Sequence, residues 1–155
     1  MRPTRPFLQS GFSLIESMVA LVVVSVGMIG IAGLYGQGLS AGRTALYRTQ
    51  AVNLAGDMAD RIRENRLGGV AYAGMGANNS CDPPAAVNCT PPQMAQHDLW
   101  VWTNQVAVLL PNGVGTVAFL ATTPPTYTIQ VTWQETVAGQ PPVNYQMVIR
   151  VPIGM

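Results

Sequence analysis

Between Glu16 and Arg43 the chain carries no charged side chain, and the 26 residues from Ser17 to Gly42 include Met18, Val19, Leu21 to Val24, Val26, Met28, Ile29, Ile31 and Leu34. About 20 predominantly apolar residues suffice to cross a hydrocarbon core as a helix, so this run is long enough to span. It is also too long for the apolar region of a cleaved secretory signal, which is usually about 7 to 15 residues. Arg2 and Arg5 precede the run. By the positive-inside tendency they hold the N-terminus in the cytoplasm and send everything after about residue 40 outward. A plain membrane anchor explains neither the glycine at the border, Gly11, nor the carboxylate just inside it. A charged side chain at the centre of a lipid-facing helix costs roughly 2.5 to 3.5 kcal/mol, so Glu16 is expected to meet a partner. The junction reads as a processing and assembly signal.

Gly11-Phe12-Ser13-Leu14-Ile15-Glu16 ahead of an apolar helix resembles the class III signal of type IV pilins and of type II secretion pseudopilins. The resemblance implies that a prepilin peptidase cuts between Gly11 and Phe12 and methylates the new N-terminus. Glu16 becomes the fifth residue of the mature chain. It also implies that this carboxylate faces the N-terminal amine of a neighbouring subunit in a filament. The physics agrees, because a charge in a low-dielectric setting becomes tolerable once paired and hydrogen-bonded.

Three segments follow: a cleaved leader over 1–11, the membrane and assembly half of a long helix over 12–42, and an exported head over 43–155. Removing the leader leaves 144 residues, and roughly 110 of them form the head, a typical single-domain size. The chain has eight arginines and no lysine, and loss of Arg2 and Arg5 leaves six against seven acids, a net charge of −1. That balance offers no basic field for nucleic acid.

Past Arg43 the helix turns amphipathic. Tyr47, Ala51, Leu54, Ala55, Met58 and Ile62 recur at three- and four-residue spacing, with Arg48, Asp57, Arg61, Arg63 and Glu64 mostly on other faces. No proline falls between Pro6 and Pro83, which allows one helix from about Phe12 to Asn65, stopped there or at Gly68-Gly69. Gly27, Gly30, Gly33, Gly36, Gly38 and Gly42 crowd the end of the apolar run. They permit close helix packing or a segment that can unwind on assembly.

Residues 68–92 are rich in glycine, asparagine and proline and hold both cysteines. Cys81 and Cys89 enclose seven residues. In an exported chain they are expected to form a disulfide, worth about 2 to 3 kcal/mol by loop closure. A second helix is expected to be capped by Asp98, with Leu99, Trp102, Val106 and Leu109 or Leu110 inward and Pro111-Asn112-Gly113 at its end. His97 is placed near its start as a solvated or capping residue. The C-terminal third alternates with period two. Tyr127, Ile129, Val131 and Trp133 form one strand, Tyr145, Met147, Ile149 and Val151 another, and residues 116–121 a third. Short connections, including a turn around Gln140 to Asn144, favour an antiparallel meander. The expected class is α+β, a long N-terminal helix packed on a small antiparallel sheet of about three strands, which the pilin resemblance implies as well.

Residues that could carry chemistry are sparse. His97 is the one histidine, and beyond Arg66 the only other charged residues are Asp82, Asp98, Glu135 and Arg150. No enzyme activity, metal or cofactor is expected. Two sequons, Asn78-Asn79-Ser80 and Asn88-Cys89-Thr90, are glycosylation candidates only with suitable machinery. The run from Ala51 to Asn65, the cysteine loop, Asp98-Leu99-Trp100 and Leu110-Pro111-Asn112-Gly113 are similar to PilV-type minor pilins. That similarity implies a non-catalytic subunit of the complex that primes pilus assembly, near the tip. Its implied partners are the prepilin peptidase, other minor pilins, the major pilin and a tip adhesin. Its implied location is the bacterial inner membrane with the head in the periplasm, then the pilus surface, in the service of adhesion or twitching motility. The alternative is a minor pseudopilin of a type II secretion system.

Overall fold

The computed structural model describes Gly11 and residues 13–82, 88–135 and 141–152. Arg2, Arg5, Phe12 and Gln140, which enter the expectations above, lie outside the described residues. The elements are a long helix α1, Leu14–Glu64, a short 3₁₀ segment, Arg66–Tyr72, a second helix α2, Pro91–Leu109, and three strands, β1 Val114–Leu120, β2 Thr126–Trp133 and β3 Val143–Arg150. The chain divides into two compact units, Met1–Ala41 and Gly42–Met155, and α1 contributes to both.

In the first unit every described side chain of α1 is exposed, including Leu14, Leu21, Val22, Ile29 and Leu34. The helix is long and apolar enough to cross a membrane. A row of apolar residues with no cover in its own chain is stable only in lipid or against other helices. Ser17 and Ser25 return their hydroxyl protons to the carbonyls of Leu14 and Leu21, at 2.8 and 2.7 Å. Neither hydroxyl therefore asks the surrounding medium for an acceptor.

In the second unit the amphipathic half of α1 buries Ala51, Leu54, Ala55, Met58, Ala59 and Ile62, the stripe its spacing foretells. These residues share one core with Leu99, Trp102, Val106 and Leu110 from α2 and with the inner face of the sheet. The sheet is an antiparallel meander in the order β1-β2-β3. Val117 pairs with Ile129, which in turn pairs with Met147, and Val131 stands opposite Tyr145. In β2 the alternation is complete, with Tyr127, Ile129, Val131 and Trp133 buried and the threonines and Gln130 between them partly exposed. Period-two patterning on one packed face produces this result.

The second helix starts eight residues earlier than expected. Pro91 and Pro92 occupy its first positions, where a missing N–H costs nothing, and the Gln93 side chain accepts the Thr90 N–H at 2.9 Å. Asp98 is thus not a cap but a buried residue inside α2. The first helix stops at Glu64, and Asn65 ties its end to the start of α2 by donating to the Pro91 carbonyl at 2.8 Å. The 3₁₀ segment, unforeseen from the sequence, lies against α2 because Gly68 has no side chain. A Cβ there would fall 2.9 Å from that of Ala95. Further on, Gly76 lets the following loop cross directly over α2, since a Cβ would overlap the Trp100 backbone. Ala77 N–H then donates to the Gln96 carbonyl at 3.0 Å.

Candidate processing and assembly site

Gly11 is exposed and stands ahead of the helix. The first helical turn forms behind it: the Ser13 carbonyl accepts the N–H groups of Glu16 at 3.1 Å and Ser17 at 3.3 Å. Glu16 is the acidic residue of this turn, where the unsatisfied N–H groups and the helix dipole favour a negative side chain. It is exposed and makes no salt bridge among the described residues. The sequence elements of the signal are therefore a glycine outside the helix and a carboxylate one turn in. Phe12 between them lies outside the described residues. None of the glycines of the apolar half touches anything beyond the local helix, so that surface is open to neighbours.

The head holds the second group of residues. Cys81 and Cys89 are joined, with an S–S distance of 2.05 Å. Asp82, inside the closed loop, accepts a hydrogen bond from Nε2 of His97 at 2.9 Å. His97 is not a solvated residue of a helix start, as its sequence position suggests. It is buried within α2 and stacks on Trp100 with ring centroids 6.0 Å apart. Its Nδ1 is buried without a partner among the described residues. The longer α2 explains the difference, since the start at Pro91 moves His97 from just ahead of the expected cap into the second turn.

A charged network joins three elements. Arg61 of α1 donates from Nη1 to Asp98 at 3.0 Å and from Nε to Asp57 at 3.0 Å, and the Tyr72 hydroxyl donates to Asp98 at 2.9 Å. Burial pulls the Arg61 guanidinium down, but the hydrogen bonds and charges of Asp57 and Asp98 outweigh it and leave it raised. Burial, reinforced by the Asp98 charge, pushes the Tyr72 phenol well above the usual tyrosine range. Beside the network runs a groove of about 560 Å³ lined by Asp57, Asp60, Glu64, Pro91 and Met94 among others. No group of three or more His, Cys, Asp or Glu side chains suited to a metal occurs among the described residues. The pattern carries little warning of this network, because it sets Arg61 mostly off the apolar stripe. The assignment of Asp98 to a cap concealed its partner.

Residues 34–100 match the family model described as Type IV pilin Tt1218. Residues 7–32 match the prokaryotic N-terminal methylation motif. No curated protein and no solved structure matches the chain. The first match takes in the amphipathic half of α1, the cysteine loop and α2 as far as Trp100, and the second brackets Gly11, Phe12 and Glu16. Together they support the type IV pilin family. The long apolar N-terminal helix with a small three-stranded antiparallel sheet is consistent with the type IV pilin fold.

Proposed function

We propose, taking the pilin matches as premise, that this chain is a minor pilin: a non-catalytic structural subunit of the complex that primes type IV pilus assembly and sits at the filament tip. Residues 1–11 are the leader, 12–42 the membrane and assembly half of the helix, and 43–155 the periplasmic head. The observation that carries the reading is the methylation motif over residues 7–32, laid across a glycine ahead of the helix, a carboxylate in its first turn and an apolar surface without cover. The chemistry of the junction favours the same reading. In a bilayer the unpaired Glu16 carboxylate is costly, and the N-terminal amine freed by cleavage of a neighbouring subunit is a cation of matching depth.

The head supplies specificity in this scheme. Its cysteine loop and α2 fall in the segment that matches the pilin model, whereas the sheet lies beyond it. Mass spectrometry of the mature protein tests the reading. Phe12 is the expected first residue, carrying one methyl group, and a membrane-resident chain that keeps residues 1–11 overturns it. Recovery with sheared pili, set against recovery with type II secretion components, then distinguishes a pilus subunit from a pseudopilin.

A further inference from the structure

The two edges of the sheet differ. The β1 strand runs beside the 3₁₀ segment and α2. The β3 strand closes the strand order on the other side, and among the described residues no backbone hydrogen bond joins Val143–Arg150 to any segment but β2. Alternate residues of an edge strand turn their N–H and C=O groups outward, here along eight residues. The usual protections of such an edge are missing. Its register against β2 runs without a bulge from Val143 opposite Trp133 to Arg150 opposite Thr126, and its sequence has no proline, glycine or lysine. Pro141 and Pro142 before it and Pro152 after it frame the open stretch. The inner row also thins toward this edge. In β2 Tyr127, Ile129, Val131 and Trp133 are at most 2% exposed, whereas Val143, Tyr145 and Met147 of β3 are only partly buried against the core. The outer row, Asn144, Gln146, Val148 and Arg150, is exposed, and Arg150, its one charge, makes no salt bridge among the described residues.

We propose that the outer edge of β3 accepts an extended segment of a different protein as a fourth, antiparallel strand of the sheet. The unpaired backbone specifies that kind of occupant, because N–H and C=O groups alternating at strand spacing are satisfied together by another strand. The side chains specify its pattern. Residues opposite Val143, Tyr145, Met147 and Ile149 are apolar, since they extend the inner row over the three that the head covers only in part. The residue opposite Arg150 is acidic, and meets the one charge of the edge. A second copy of β3 lacks that feature, as the stretch from Pro141 to Pro152 contains no aspartate or glutamate.

The site lies wholly in the head and goes beyond the pilin reading, so its test is separable from N-terminal processing. The probe is a labelled, end-blocked peptide, Glu-Val-Thr-Val-Thr-Val-Thr-Val, whose first residue falls opposite Arg150 and whose last falls opposite Val143. It is made in two versions, N-methylated at its odd or at its even positions, so that each has one edge blocked. Binding to the detergent-solubilised full chain is followed by fluorescence anisotropy and by amide hydrogen exchange. One version is expected to bind and to protect the amides of Val143–Arg150, and the other, whose methyl groups face β3, to bind at least about tenfold more weakly. Lysine in place of the glutamate is expected to weaken the better version about threefold, and Arg150→Glu to reverse that preference. Arg150 is exposed, and an unchanged thermal midpoint of the variant shows an intact head. No binding of either version at millimolar peptide overturns the proposal. So does equal binding of both, which is apolar adhesion and not strand pairing, or a charge preference that Arg150→Glu leaves as it was. Protection of β3 that grows with protein concentration in the absence of peptide would assign the edge to a second copy and overturn it as well.

Discussion

Removing the Asp98 carboxylate should unfold the head at a markedly lower temperature. Asp98 is buried and receives two hydrogen bonds, one from the Arg61 guanidinium and one from the Tyr72 hydroxyl. In Asp98→Ala both donors lose their acceptor. Tyr72 keeps an alternative in the Arg61 carbonyl at 3.1 Å, and Arg61 keeps Asp57 at 3.0 Å. Breaking a fully buried ion pair costs about 3 to 5 kcal/mol, and a single hydrogen bond to a charged group about 1.5 to 3. Because both donors retain a second partner and the Arg61 side chain is partly exposed, at 27%, the lower range applies, about 2 to 3 kcal/mol. For a head of this size that loss lowers the midpoint by roughly 10 to 20 °C. All three tryptophans, Trp100, Trp102 and Trp133, lie in the head, so fluorescence of the detergent-solubilised full chain reports its unfolding alone. A midpoint within 3 °C of the parent would refute the idea that this network holds α1 to α2. A cycle with Tyr72→Phe should be non-additive, as expected for groups that share one acceptor.

Glu16→Val should leave membrane insertion intact, since an apolar residue replaces a costly charge, while recovery of the subunit with sheared pili falls. Equal recovery at equal membrane levels would remove this carboxylate from the assembly scheme. The pair Cys81→Ser and Cys89→Ser should lower head stability by about 2 to 3 kcal/mol in denaturant titration, and an unchanged midpoint would mean that the loop is held by its other contacts. The raised Tyr72 phenol predicts alkaline sensitivity. A folded pKa above the unfolded value of about 10 contributes stability that is complete below pH 10 and declines as pH rises from there toward the folded value. Tyr72→Phe should flatten that decline, and parallel stability profiles for the two proteins between pH 9 and about 11.5 would show the phenol to be irrelevant.

The elements most legible in the sequence are those whose periodicity is long or complete. The stripe from Ala51 to Ile62 and the alternation from Tyr127 to Trp133 both reach the core, because each repeats on one face over its whole length; Ala59 joins the first, and Val52, off the stripe, stays exposed. Positions where one residue type serves two purposes are ambiguous in the sequence. Asp98 precedes an apolar stripe, which is the appearance of a cap, yet its role depends on Arg61, 37 positions away. Paired prolines suggest a loop, yet at Pro91 and Pro92 they open a helix. His97 inherited its misplacement from that boundary. Leu109 and Leu110 were equivalent in the pattern, and the tertiary fold exposes the first and buries the second. The 3₁₀ segment is held by Gly68 against Ala95, a steric fit that no local pattern records.

The order of the sheet bears on how the head is made. Strand order in space equals strand order in the chain, with β2 central and β3 the last element described. As the chain is made α1 emerges first, whereas β2 acquires its second partner only once residue 150 is available. Until then an eight-residue strand presents an unpaired edge. Such an edge invites pairing with any passing strand. A chain stalled or cut before Val143 would thus hold its long helix and both cysteines, yet be adhesive along β2. A protease that binds extended strands would have a recognisable target in that unfinished edge.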